Sequence, residues 1–271
     1  MFRERGIEIK TPEQVEKMRA AGLVVGETLE LLRTSVRAGM TTLELDRIAE
    51  DHIRSKGAVP SFKGYHGFTG SICASVNDEV VHGIPGDRVI AAGDVVSIDC
   101  GAILDGWHGD AAVTVAVGEV PAEALELMRV TETAMWHGFA AARLGGRVSD
   151  ISHAVESYVR SQGDYGIVEE YVGHGIGTAM HQPPNVPNYG RPGRGPRLVE
   201  GLALAVEPMV VLGDAATHVL EDDWTVKTDD GSLAAHFEHT FTLTPRGAWV
   251  LTALDGGEAR LKELGVGFGG R

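Results

Sequence analysis

VVSIDCGAILDGWHGDAAVTVAV, residues 95–117, is the stretch from which the fold can be read. Two apolar runs, Val95–Leu104 and Ala111–Val117, flank a short loop containing Asp105-Gly106, which predicts two strands joined by a turn. Side chains of a strand alternate between its faces. In the first run Ser97, Asp99 and Gly101 share a face, and Val96, Ile98, Cys100 and Ala102 share the other. Asp110 opens the second run and shares its face with Ala112 and Thr114, opposite Ala111, Val113 and Val115. Each aspartate thus stands among small neighbours, with bulky side chains on the reverse.

The pattern around this pair is helical upstream and downstream. Thr11 and Gln14 form a capping box around Pro12, and a helix follows through about Ser35 to a break at Gly39. Thr41 and Glu44 open a second helix that runs to Lys56 and stops at Gly57. A Gly-rich stretch, Gly64 to Ile84, contains a short strand at Ser71–Val76. Beyond the pair, Pro121 opens a helix to about Leu144, and Ser149–Gln162 forms another that Gly163 stops. Then come a Gly-rich stretch around His174, an apolar run at Leu202–Leu212 and a strand at His236–Leu243. The same order of elements therefore fills residues 12–117 and again 121–243. Arg54-Ser55-Lys56-Gly57 returns 106 residues later as Arg160-Ser161-Gln162-Gly163, and Tyr65-His66-Gly67 returns at that offset as Tyr171-Val172-Gly173. The expectation is a single α+β domain over 1–271 with two similar halves, and a Pro/Gly surface loop at 185–197.

The formal charge of −14 argues against an anionic partner such as nucleic acid or a charged membrane surface. Two cysteines make no disulfide framework, no window of 18 apolar residues exists, and MFRERGIEIKTPEQ has no apolar leader core, which together suggest the cytoplasm. What the composition leaves open is where the acids gather.

Two more acids interrupt apolar segments: Glu207 in LALAVEPMVVL and Glu238 in HFEHTFTL. By alternation Glu207 sides with Ala203 and Ala205, and Glu238 with Thr240 and Thr242. Two carboxylates 4 Å apart repel by roughly 4 kcal/mol at an effective dielectric of about 20. Four converging carboxylates need compensation, and two divalent cations supply it. Oxygen ligands with a few imidazoles suit Mn, Fe, Co or Zn. His174, His181 and His82 stand in Gly-rich or turn-rich segments; His52, His137, His153 and His218 read as structural or solvated. No H-E-x-x-H, G-x-S-x-G, Walker A or CxxC motif is present.

The segments NDEVVHGIPGD, SIDCGAILDGWHGDAA, YVGHGIGTAMHQPP, LALAVEPMVV and HFEHTFTLT resemble those of type I methionine aminopeptidases, from about residue 8 to 252. These belong to the pita-bread (creatinase/aminopeptidase) fold of peptidase family M24, whose two pseudo-symmetric halves pack helices on a curved, mainly antiparallel sheet. The resemblance implies Asp99, Asp110, His174, Glu207 and Glu238 as ligands of two divalent ions, with Asp110 and Glu238 bridging. It implies Glu207 as general base, His181 as stabiliser of the tetrahedral intermediate and His82 as orienter of the scissile amide. Tyr65, Phe68, Cys73, Met180 and Trp224 would form the pocket for a methionine side chain. The implied reaction is removal of methionine from nascent polypeptide N-termini with small second residues, at the ribosome, by a monomer that binds neither nucleic acid nor membrane. Gln182 stands where Glu is common, and Phe62 where some members have Cys. An Xaa-Pro aminopeptidase or prolidase, or a non-catalytic pita-bread binding protein, is the alternative; Glu207-Pro208-Met209 resembles the methionine-specific version.

Overall fold

The computed structural model describes residues 6–270; residues 1–5 and 271 of the unit expected over 1–271 lie outside the described residues. Helix α1 (Pro12–Ser35) and helix α2 (Thr42–Ser55) each begin with a reciprocal capping box, Thr11 with Gln14 and Thr41 with Glu44. They are followed by β1 (Val59–Pro60), a single turn at Tyr65–Gly67, β2 (Ile72–Val76), β3 (Glu79–Val81), β4 (Val95–Leu104) and β5 (Trp107–Ala116). The second half opens with α3 (Ala122–Ala141) and α4 (Val148–Gln162), then β6 (Gly166–Ile167), β7 (Gly173–Gly175), β8 (Gln182–Val186) and β9 (Ala203–Val206). It continues through β10 (Met209–Val211), β11 (Thr217–Val219), β12 (Val226–Thr228), β13 (Ala234–His236), β14 (Glu238–Thr244), β15 (Gly247–Val250) and α5 (Glu258–Glu263).

Among the described residues, nine strands form the main sheet in the order β1-β4-β5-β14-β9-β7-β8, with β2 also on β4 and β15 also on β14. Every ladder in it is antiparallel. Its centre is the β5–β14 pair. Outward on either side lie β4 and β9, then β2 and β7, so the two halves meet across the middle of one sheet. The helices lie behind it. Leu29, Leu32, Leu45 and Ile53 from α1 and α2 pack on Ile72, Val96, Ile98 and Cys100. Leu127, Phe139, Ile151 and Val155 from α3 and α4 pack on Leu204, Val206 and Phe241. Each such fully buried aliphatic side chain contributes about 1.5–3 kcal/mol. This is the α+β pita-bread arrangement, and it puts the bulky face of each acid-bearing strand against helices. Helix α1 lies so close that a Cβ on Gly22 would come within 2.3 Å of the Leu251 carbonyl oxygen.

Four boundaries differ from the expectation. The β4–β5 turn is only Asp105-Gly106, with φ of 50° and 79°, the pair of positive values that a two-residue hairpin turn demands. Strand β5 therefore starts at Trp107, and Asp110 lies inside it rather than at its opening. Helix α3 ends at Ala141, short of Leu144. The apolar run Leu202–Leu212 is two strands, broken at Glu207-Pro208, because proline has no N–H to continue a ladder. The expected strand His236–Leu243 is likewise broken at Phe237. In both breaks the chain leaves one sheet for another: β10 and β13 pair in a small three-stranded sheet with β6, while β9 and β14 stay in the main one.

Candidate active site

Register assembles the site. Cys73 of β2 stands opposite Asp99 of β4, Asp99 opposite Ala112 of β5, and Ala112 opposite Glu238 of β14. Directly opposed residues share a face, so these four form one row across the sheet. Asp110 lies on the same face two residues from Ala112, opposite Gly101. Gly101 is where Phe62 and Ser61 pack, both within 2.9 Å of where a Cβ would stand. Thr240 fixes the Asp110 backbone twice, accepting from its N–H at 3.2 Å and donating to its carbonyl at 2.8 Å.

The second half closes the cluster. His174 on β7 donates Nδ1–H to the Gly175 carbonyl at 3.0 Å, which leaves the Nε2 lone pair facing Glu207 Oε1 at 3.4 Å. Potential ligand atoms of Asp110, His174 and Glu238 lie within 4.8 Å of one another, and so do those of Glu207, His236 and Glu238. Asp99 joins through a side-chain hydrogen bond with Asp110. The structure thus brings Asp99, Asp110, His174, Glu207 and Glu238 together. His236 is there as well, and the sequence reading passed over it. Strand alternation gave no signal for it, because His236 and Glu238 lie in different strands on either side of the break at Phe237.

The electrostatics of the cluster call for a cation. Among the described residues no Lys or Arg forms an ion pair with any of the four acids. Among the described residues, Asp99 Oδ1, Asp110 Oδ1 and Glu238 Oε1 are buried without a hydrogen-bond partner. Burial lifts the Asp99 carboxyl to about 7. Burial, reinforced by neighbouring carboxylates, pushes Asp110, Glu207 and Glu238 well above the ordinary range. Burial works in the opposite direction on the bases: His174 falls to about 3 and His82 to about 4, so both imidazoles are neutral with a lone pair to offer. Orphaned carboxylate oxygens beside neutral imidazole fit an oxygen-rich divalent-metal centre.

An apolar cluster adjoins the row. Phe62, Phe68, Cys73 and Met180 are buried together, with Tyr65, Ile84 and Trp224 packed on them. The structure brings Tyr65, Phe68, Cys73, Met180 and Trp224 together in this cluster, along with Phe62 and Ile84. The two outer histidines are braced across the halves. The Tyr65 hydroxyl lies 2.8 Å from His181 Nδ1, and Tyr171 packs edge-on to His82 with ring centroids 5.5 Å apart. The loop carrying Met180 and His181 is tied to the start of the chain. Glu8 accepts from Thr178 N–H at 3.1 Å and from Gln182 Nε2 at 2.8 Å, and buried Lys10 donates to the Ile176 carbonyl. Gln182 therefore has a structural reason, because a glutamate there would oppose Glu8. His52, His137, His153 and His218 bond or stack elsewhere, with Thr28, Tyr158, Ser157 and Asp229.

A two-halved antiparallel sheet with a carboxylate–imidazole cluster at its seam defines a metallohydrolase of the pita-bread class. The chain belongs to metallopeptidase family M24, whose sequence pattern matches residues 16–245. It is 54% identical over 245 residues to a methionine aminopeptidase of Clostridium acetobutylicum, covering 90% of this chain and 98% of that one. The solved methionine aminopeptidase of Thermotoga maritima superposes with a TM-score of 0.89 at 43% identity, over 91% of this chain and 99% of that one. The prolidase of Pyrococcus furiosus shares the fold alone, with a TM-score of 0.73 at 22% identity over 90% of this chain and 65% of that one.

Proposed function

We propose that this protein removes the N-terminal methionine of nascent polypeptides, using two divalent ions held by Asp99, Asp110, His174, Glu207 and Glu238. The observation that carries the reading is the row Cys73–Asp99–Ala112–Glu238, which joins a cluster of aromatic and sulfur side chains directly to the carboxylates. Such side chains suit a thioether. Bound divalent ions supply an acidified water and a polarised carbonyl. The protein's own groups do the rest. Glu207, whose carboxylate is raised in proton affinity by burial, takes the proton of the attacking water and returns one to the leaving nitrogen. The Tyr65 hydroxyl donates to His181 Nδ1, which leaves Nε2–H to stabilise the developing oxyanion. His82, set at a φ of 60° between Tyr171 and Trp224, orients the scissile amide. We further propose that the enzyme acts as a monomer in the cytoplasm, on chains emerging from the ribosome.

The test is release of the N-terminal residue from Met-Ala-Ser and from Ala-Pro-Ala by chelator-stripped protein, with and without Mn(II) or Co(II). Metal-dependent release of methionine alone is expected. Release from the proline peptide would assign an Xaa-Pro enzyme, and silence on both would assign a binding protein.

A further inference from the structure

His236 is buried at the end of β13, 1% exposed, and has no part in the chemistry above. Its backbone is held in both directions by one side chain: Thr114 Oγ1 accepts from its N–H at 2.9 Å and donates to its carbonyl at 2.8 Å. Thr114 is fixed in turn by Ser97 Oγ at 2.8 Å. The His236 backbone is therefore anchored by two strands of the first half, although it belongs to the second. Its Nε2 has no hydrogen-bond partner, and it lies 3.8 Å from Glu238 Oε2. Glu238 Oε1 is also without a partner. The buried Glu238 carboxylate thus has one oxygen near an unpartnered imidazole nitrogen and its other oxygen unpartnered.

A carboxylate that gives one oxygen to an ion still has a second oxygen to satisfy, and such outer partners aim the ligand and tune its basicity. We propose that His236 is a positioning residue of the metal centre: its Nε2–H donates to the Glu238 carboxylate and holds it in the ligating orientation. Glu238 belongs to both ligand clusters, so fixing it fixes the joint between them. Glu207, whose oxygen lies within 4.8 Å of the same imidazole, is kept in register with it. The inference rests on the metal centre proposed above.

Calorimetric titration of Mn(II) into chelator-stripped full-length protein tests it, with wild type, His236→Leu and His236→Gln compared. Leucine removes the donor and glutamine restores one. His236→Leu is expected to bind Mn(II) about 10–100-fold more weakly, and His236→Gln to stay close to wild type. Equal affinity of His236→Leu and wild type would overturn the proposal. So would equal weakening by both variants, which would make His236 a ligand rather than a donor. Wild type without any Mn(II) binding would remove the centre itself, an outcome distinct from both. If His236→Leu does not fold, zinc-loaded wild type with ¹⁵N-histidine answers the same question. A proton on His236 Nε2 supports the proposal, and a bare, metal-bound Nε2 overturns it.

Discussion

The two halves place their acids in different ways. Asp99 and Asp110 stand within one continuous hairpin, where uninterrupted pairing from Val95 to Ala116 fixes both. Glu207 follows β9 and Glu238 opens β14, each at the point where the chain passes between sheets. The first pair is held by register, the second by whatever pins a break. For Glu207 the pin is Asn188, fully buried, whose Nδ2 donates to the Glu207 carbonyl at 3.1 Å. A ladder gives rigidity, while a break lets a longer side chain reach the cluster from beyond the strand. The half that carries the proposed base is also the half with the less regular backbone.

The strongest way to break this comparison is Glu207→Ala. Initial rates on Met-Ala-Ser should fall by about 10²–10⁴, the range for loss of a general base, with the thermal midpoint retained. Near-normal turnover would sink the assignment of Glu207. Next comes metal affinity measured by calorimetry. Glu238→Gln should weaken binding by more than about 100-fold, beyond the range for an outer partner, and should exceed Asp99→Asn, because Glu238 serves both ligand clusters. Equal losses would erase the distinction between the seam and the flank.

Smaller effects sharpen the contrast. Asn188→Ala strips the Glu207 carbonyl of its donor and should cost about 1–3 kcal/mol by urea unfolding, with a fall in kcat as well. Thr240→Val removes the equivalent brace from Asp110, and should cost similar stability but little kcat, since the hairpin still holds that residue. If both variants lose rate alike, breaks and ladders are equally sensitive. The last effect is on pH. Between its ordinary value and its raised value, a buried carboxyl stays protonated in the folded protein and ionised in the unfolded one, so stability falls as pH rises. Below about 6.5, neutral buried histidines such as His174 and His236, both held near 3, oppose this, because unfolded imidazole binds the proton that the folded state refuses. Metal-free protein should therefore lose stability as pH rises above 6.5, by at most about 1.4 kcal/mol per pH unit for each group titrating. Asp99, lifted to about 7, contributes to that loss up to about pH 7, so Asp99→Asn should blunt it there. Thermal scans with and without Mn(II) separate the two states; a flat profile in the stripped protein would contradict the buried-acid reading.

The sequence was most readable where local chemistry decides. Thr11 and Thr41 each specify a boundary by a cap, and the faces of Asp99 and Asp110 follow from simple alternation. Legibility failed where pairing decides. Nothing in either strand alone says that Ala112 stands opposite both Asp99 and Glu238. The run Leu202–Leu212 looked continuous because its apolar residues hide the change of sheet, although Pro208 inside it is a stop signal. His236 entered the sequence reading only as the start of an expected strand. Only the crossing at Phe237 shows it to be buried beside Glu238. The assignment of ligands and pocket residues rested on the family resemblance, since residue chemistry alone pointed to a metal but not to which side chains share it.

Strand β14 is the middle of the sheet and nearly the last piece of it to be made. Its neighbours β5 and β9 are complete long before Glu238–Thr244 leaves the ribosome. Until then the two halves have no hydrogen-bonded contact with each other through that strand, and the acids of the first half face a gap. Closing the gap joins residues more than a hundred positions apart, such as Glu238 and Ala112, a kind of contact that slows folding. The enzyme is thus timed by its own topology: it gains its active centre only when a strand made after both of its neighbours has closed the sheet.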